Sequence, residues 1–267
     1  MTKFLQILIF ICLLVILVGC NSSEKKVPVW ENLKITDIAP IQGPTEPPQN
    51  LLKTINFNIY VIDLPAEKFS VIENAWQLLY EKPIRLNARD AFKKNSFRVG
   101  FERGQMWDEI GNSLRKAGAR TVDTVSLLLF ADQPEDLTIA DLREEKTIYV
   151  TAKGGMEAST VGPGKVVMRL TAKKIPGARG VSNISAVPVV RPPLRSLIPQ
   201  LQARSDAQKF EFPSLGFNVN MSPTDFIFLA PEKYIDNDMT LGGLFFSAAG
   251  RKQIVRSYLI VCTSIID

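Results

Sequence analysis

The sequence predicts an α+β protein in which a small α/β unit is followed by a mainly β C-terminal half. Three patterns predict this class. Apolar and polar residues alternate at the start of the folded region, two later segments repeat apolar residues at helical spacing, and short strand-like runs separated by Gly and Pro fill the second half. We therefore expect an α/β domain at residues 54–131 and a mainly β domain at residues 132–267.

The first domain is predicted to follow the order strand, helix, strand, helix, strand. The alternation from Ile55 to Val61 is typical of a half-buried strand. Pro65 favours the start of a helix and Gly118 favours the end of one. The expected elements are a strand at 55–61, a helix at 65–79, a strand at 97–101, a helix at 107–117 and a buried strand at 125–130.

Turn residues divide the second domain into short strands. Gly162-Pro163-Gly164 and Pro176-Gly177 are the clearest of these turn signals. The expected strands cover residues 146–151, 165–172, 186–190, 225–230 and 257–266.

An export signal is predicted at the N-terminus. The apolar run from Phe4 to Val18 would span only ~22 Å as a helix, which is short of a ~30 Å hydrocarbon core. Lys3 precedes this run and Gly19-Cys20 follows it. The motif Leu17-Val18-Gly19-Cys20 resembles the lipobox of bacterial lipoproteins. The resemblance implies a signal peptide at residues 1–19, cleavage between Gly19 and Cys20, and a lipid on Cys20.

The same resemblance implies a location in the cell envelope. Asn21 follows the cysteine, where an Asp would resemble an inner-membrane retention signal, so the periplasmic face of the outer membrane is favoured. Residues 20–53 are rich in proline and predict a tether with an r.m.s. span of roughly 30 Å. An alternative is that residues 27–38 pack along the domain as an extended arm.

Cysteine and histidine usage narrows the chemistry. Cys12 leaves with the signal and Cys20 carries the lipid, so Cys262 has no intrachain disulfide partner and is expected in the core. The chain has no histidine, which excludes Ser-His-Asp and Cys-His catalysis. We expect no enzymatic activity, no cofactor and no metal. The alternative within enzymes is a carboxylate-dependent cell-wall hydrolase, which requires two facing acidic residues.

Charge is unevenly distributed along the chain. Without residues 1–19 the net charge falls from +5 to +4, yet residues 165–209 carry nine basic residues against the single acid Asp206. One interpretation is an anionic-surface contact, and the other is a solvated sheet face whose charges meet the acidic residues of 121–164. No nucleic-acid-binding motif accompanies the charge. The candidate contact residues are Lys165, Arg169, Lys173, Lys174, Arg179, Arg191 and Arg195.

Two further segments resemble envelope proteins. The run Leu241-Gly242-Gly243-Leu244-Phe245-Phe246, followed by Tyr258 to Ile266, is similar to the closing segment of bacterial secretins, with Ser264 in place of a proline. This resemblance implies a subunit that assembles into a ring. The run Asn95 to Gly100 resembles uncharacterised envelope proteins of planctomycete-type bacteria, which implies no particular function.

These observations predict a lipid-anchored cell-envelope protein with a structural, assembly or binding role. Its expected partners are the membrane, through the N-terminal lipid, and an envelope protein or a cell-wall polymer. A homo-oligomer is compatible with the sequence. The alternatives are a secretin-like ring subunit and the carboxylate-dependent hydrolase.

Overall fold

The computed structural model describes residues 54–81, 83–152, 155–193, 209–235, 237–248 and 253–266. The fold of these residues is mainly β, with a few short helices. The predicted signal peptide (1–19) and tether (20–53) lie outside the described residues. The strands are β1 (Thr54–Pro65), β2 (Arg98–Glu102), β3 (Arg120–Phe130), β4 (Pro134–Leu142), β5 (Lys146–Ala152), β6 (Gly155–Val161), β7 (Gly164–Lys174), β8 (Ser182–Arg191), β9 (Phe210–Glu211), β10 (Phe217–Met221), β11 (Phe226–Ala230) and β12 (Ile254–Ile266).

The helices are short and pack around these strands. The sequence predicts one helix at 65–79, but the structure has a 3-10 turn before a single turn of α-helix, because Ser70, Val71 and Ile72 favour α-helix only weakly. The α-helices are α1 (Glu73–Trp76), α2 (Arg89–Lys94), α3 (Trp107–Lys116) and α4 (Leu241–Phe246), and the 3-10 turns are Ala66–Ile72, Leu86–Ala88, Gly104–Met106 and Pro213–Leu215.

Sheet A is antiparallel and has the order β2-β11-β12-β1-β3. β12 is central, since it pairs with β1 on one edge and with β11 on the other. Strands from both sides of residue 131 therefore share one hydrogen-bonded sheet. The division into two domains at that residue stays a prediction.

Sheet B is also antiparallel and has the order β10-β8-β7-β4, with the short β9 paired to β8. β5 and β6 form a separate hairpin. One face of sheet A, including Phe57 and Ile59, shares a hydrophobic core with residues of sheet B such as Met168 and Ile184. The two sheets therefore stack around this core.

Helices cover the other face of sheet A. Trp76 meets Phe228 with ring centroids 5.1 Å apart, and Trp107 meets Phe226 at 5.8 Å. The layers are thus helices, sheet A and sheet B. No helix among the described residues is long and apolar enough to cross a membrane.

β3 is less buried than the sequence predicts. Residues 125–130 have the composition of a buried strand, but Val125 and Leu127 are only half-buried and Leu128 is exposed. The reason is its place at the edge of sheet A, where β1 covers one side only. Local apolar composition does not reveal this position.

The segments that resemble a secretin C-terminus form α4 and β12. The Thr240 hydroxyl caps α4 by accepting the N–H of Gly243 at 3.1 Å. Tyr258 of β12 is buried, and its hydroxyl donates to the Phe245 carbonyl at 3.0 Å. This contact packs α4 against the central strand of sheet A.

Candidate functional site

The predicted basic residues lie on β7, on β8 and in the turn between them. Alternate residues of a strand face the same side of the sheet, so Lys165, Arg169 and Lys173 share the outer face of β7. Arg191 lies opposite Lys165 on β8. The inner-facing residues between them, such as Met168 and Leu170, belong to the core. Arg195, like Gly19 and Cys20, lies outside the described residues.

Acidic residues of β4 neutralise part of this basic face. Asp136 lies opposite Arg169 and accepts two hydrogen bonds from its guanidinium, at 2.8 and 3.0 Å. Arg191 also donates to Asp136. Lys165 is 4.0 Å from the carboxylate of Asp141. Three of the seven predicted contact residues are therefore paired with acids of residues 121–164.

Asp136 is the centre of this ion-pair network. Burial alone would raise the pKa of its carboxyl, but hydrogen bonds from Arg169 and Arg191 and the attraction of both guanidinium charges lower the pKa below its ordinary value. The carboxylate is therefore held in its charged form. The sequence reasoning noted the acidic stretch but did not single out Asp136, because its role depends on the register of β4 against β7.

A cavity of about 430 Å³ adjoins this network. Its charged lining residues are two acids and two bases, so their charges balance. The cavity therefore adds no net charge to the basic face. The residues that line it are Asp136, Thr138, Asp141, Leu142, Pro163, Gly164, Lys165, Val167, Arg191, Pro192 and Pro193.

The other three described basic residues form what we call the cationic tip, residues 173–181. Lys173 and Lys174 end β7, and Arg179 lies in the turn that leads to β8. All three are exposed, and none forms an ion pair with a described residue. No acidic residue occurs between positions 165 and 193. The tip thus carries three exposed cations that form no ion pair with a described residue, although the exposed Asp132 lies beside Ala172 at its base.

The cationic tip lies at the end of the fold where β1 begins. Thr54, the first residue of β1, is opposite Phe130 at the end of β3. The next residue, Ala131, forms a bridge with Ala172, and the Asp132 N–H donates to the Ala172 carbonyl at 2.8 Å. Ala172 directly precedes Lys173 in the chain. These steps place Thr54 within about 20 Å of the tip.

A pair of buried acids lies elsewhere, at the ends of β2 and β11. Glu102 and Asp225 are both buried. Burial raises the pKa of Asp225 and outweighs the Ser222 N–H, which donates to the carboxylate at 2.8 Å. Neither residue lines any of the three cavities found at sheet B or beside the β5–β6 hairpin. The described residues also contain no cluster of three potential metal ligands.

Comparisons with known proteins give little similarity. No family model matches the chain, and no curated protein matches it. Among solved structures, the chain is similar to the InvG secretin domain β-barrel from the Salmonella SPI-1 injectisome NC-base, with a TM-score of 0.21 and 12% identity over 82% of this chain. The chain spans 64% of the length of that structure. At this TM-score the similarity carries no conclusion about fold or function.

Proposed function

We propose that the protein is a lipid-anchored component of the cell envelope whose cationic tip binds the anionic headgroups of the membrane that holds its lipid. Its role is structural: the tip holds the folded part in a fixed orientation on the membrane. One observation supports this most strongly. The cations Lys173, Lys174 and Arg179, which form no ion pair with a described residue, lie at the end of the fold where the chain arrives from the predicted tether and Cys20.

The position of the tip makes binding geometrically simple. The tether ends at residue 53, and Thr54 lies within about 20 Å of Lys173. The tip therefore lies on the side of the folded part to which the predicted tether is attached.

The charge of the tip gives binding of useful strength. Each Lys or Arg near an anionic leaflet contributes about 1 kcal/mol. Three such residues contribute about 3 kcal/mol, or roughly a 150-fold change in an equilibrium constant. This attraction falls off within a Debye length of about 8 Å at physiological ionic strength. The lipid anchor keeps the tip at high local concentration above the surface, so weak attraction is sufficient.

The test uses the lipidated full chain reconstituted in vesicles. Pro176→Cys places an exposed thiol in the tip, while Cys262 is buried and does not compete for labelling. A polarity-sensitive fluorophore at residue 176 reports contact with headgroups. We expect a blue-shifted signal on vesicles with about one third anionic lipid, no shift on neutral vesicles, and loss of the shift in roughly 0.5 M salt, where screening is strong.

A matched pair of variants separates the tip from total charge. Lys173→Ala/Lys174→Ala/Arg179→Ala should shift the docking equilibrium toward the undocked state by roughly 150-fold. Lys68→Ala/Arg115→Ala/Lys116→Ala removes the same charge from exposed positions near the opposite end of sheet A and should leave docking unchanged. Equal effects of the two triple variants would contradict the proposal. A fluorophore at residue 176 that shows no blue shift on anionic vesicles would also contradict it. The same holds if the fluorophore responds to a soluble anionic cell-wall polymer but not to anionic vesicles.

A further inference from the structure

β3 forms one edge of sheet A. Its inner edge pairs with β1 from Arg120 to Phe130. No strand in the described part of the chain pairs with its outer edge. An edge strand of this length presents a row of backbone N–H and C=O groups that can pair with another strand.

Both faces of β3 are also incompletely covered. Val122 and Leu128 are 44% and 42% exposed. On the core side, Val125 and Leu127 are half-buried and pack only against the margin of the core. A further strand beside β3 would cover these side chains as well as satisfy the backbone groups.

The sequence of β3 fits an antiparallel copy of itself. With Val125 opposite its own equivalent, Thr124 lies opposite Ser126 and Val122 opposite Leu128. Asp123 then faces Leu127. No charged residue is placed opposite a like charge. Val122–Leu128 joins two aliphatic residues and Thr124–Ser126 joins two hydroxyl residues, whereas Thr121 lies opposite Leu129. These two matched pairs favour a second copy of β3 as the partner of this edge.

We propose that the protein forms a symmetric dimer in which β3 pairs antiparallel with β3 of a second copy, about a two-fold axis at Val125. The two A sheets then join into one continuous sheet. A bulge in the β1–β3 pairing lies between Val61 and Ile62, opposite residues 121–123 of β3. Because bulges locally disrupt pairing, the new contact is centred on residues 123–127. This dimer is independent of the docking of the cationic tip, so either proposal can fail alone.

A crosslinking experiment tests the register directly. In the proposed pairing, the two Val125 Cα atoms lie about 4.5–5.5 Å apart, within the range that a disulfide bridges. The lipidated full chain carrying Val125→Cys should form a disulfide-linked dimer in membranes under mild oxidation. Asp123→Cys is the control, because equivalent residues 123 would be four residues out of register, at roughly 13 Å. The unmodified protein, whose Cys262 is buried, should form no crosslink.

A charge-exchange pair tests the same register without cysteine chemistry. Thr124→Lys/Ser126→Lys places like charges opposite each other at two symmetric positions and should abolish the dimer. Thr124→Lys/Ser126→Asp places opposite charges at the same positions and should restore it. Both substituted side chains are exposed, so both variants should remain folded by circular dichroism. Equal oligomeric states of the two variants, or a Val125→Cys crosslink no stronger than that of Asp123→Cys, would overturn the proposal. A strand from residues 33–53 of the same chain on this edge would also block the crosslink and overturn it.

Discussion

Replacing Asp136 by Asn should destabilise the fold more than any other single charge removal on sheet B. Asp136 is 10% exposed, and its partners Arg169 and Arg191 are 14% and 27% exposed. The substitution removes the charge that both guanidinium groups share, and it leaves the Glu211 carboxylate, 3.8 Å from Arg169, as a more distant counter-charge. Breaking a buried ion pair costs 3–5 kcal/mol. Since Arg191 retains contact with water, we expect the low end, about 3 kcal/mol.

The assay is urea-induced unfolding of the detergent-solubilised full chain, followed by tryptophan fluorescence. A loss of about 3 kcal/mol also corresponds to a fall in melting temperature of about 6–12 °C for a domain of this size. Asp141→Asn is the matched control. Its carboxylate is 69% exposed and 4.0 Å from Lys165, so its removal should change stability by less than about 1 kcal/mol.

The pH dependence gives a second readout of the same residue. The folded pKa of Asp136 lies below its unfolded value near 3.9. Its contribution to stability is therefore fully present above the unfolded pKa and is lost as the pH falls through the folded pKa. The difference in stability between wild type and Asp136→Asn should narrow below about pH 4. A variant within about 1 kcal/mol of wild type at pH 7 would refute the role assigned to this network.

Three further predictions concern single positions. Gly100→Ala should lower the free energy of unfolding by about 1–3 kcal/mol, because a Cβ there would lie 2.8 Å from Leu79 and 2.9 Å from Trp76. Gly111→Ala is the control: its Cβ would meet no atom within 4 Å, so chemical denaturation should show unchanged or increased stability. Burial, with repulsion from Asp225, raises the pKa of the Cys262 thiol to about 12. At pH 8 this thiol should therefore react with a disulfide reagent only as fast as the protein unfolds. Rapid labelling of the native protein would contradict the buried position of Cys262. Cys20→Ala should abolish metabolic lipid labelling and the processed form on gels, and unchanged labelling would exclude Cys20 as the lipidated residue.

Local sequence patterns predicted several strands correctly because the apolar residues of each strand have one dominant environment, the buried core, along most of its length. The alternation of Ile55 to Val61 lies within β1, and the apolar run at 257–266 lies within the central β12. β4 was not predicted, because it begins with Pro134, Glu135 and Asp136, which are residues typical of loops. Its polar residues are tolerated because one of its faces carries the ion pairs to β7 and β8. That environment depends on a register that no local pattern contains.

The basic residues show the same limit at the candidate site. Composition alone offered two interpretations of residues 165–209, a solvated face paired with acids or a free anionic-surface contact. In the structure Lys165, Arg169 and Arg191 meet acids of β4, while Lys173, Lys174 and Arg179 meet none among the described residues. The two groups differ because the pairing of β7 with β4 extends along β7 only as far as Thr171, and the cationic tip begins at residue 173. Only the three-dimensional pairing distinguishes the two groups.

The orientation of the folded part on its membrane tests the central proposal most directly. Spin labels at Pro176→Cys in the cationic tip and at Lys116→Cys near the far end of sheet A lie at least about 30 Å apart along β1. On anionic vesicles carrying the lipidated chain, we predict that the label at residue 176 lies at headgroup depth and is shielded from a water-soluble relaxation agent. The label at residue 116 should remain fully accessible to that agent. Equal accessibility of the two labels, or shielding of residue 116 instead, would contradict the proposal.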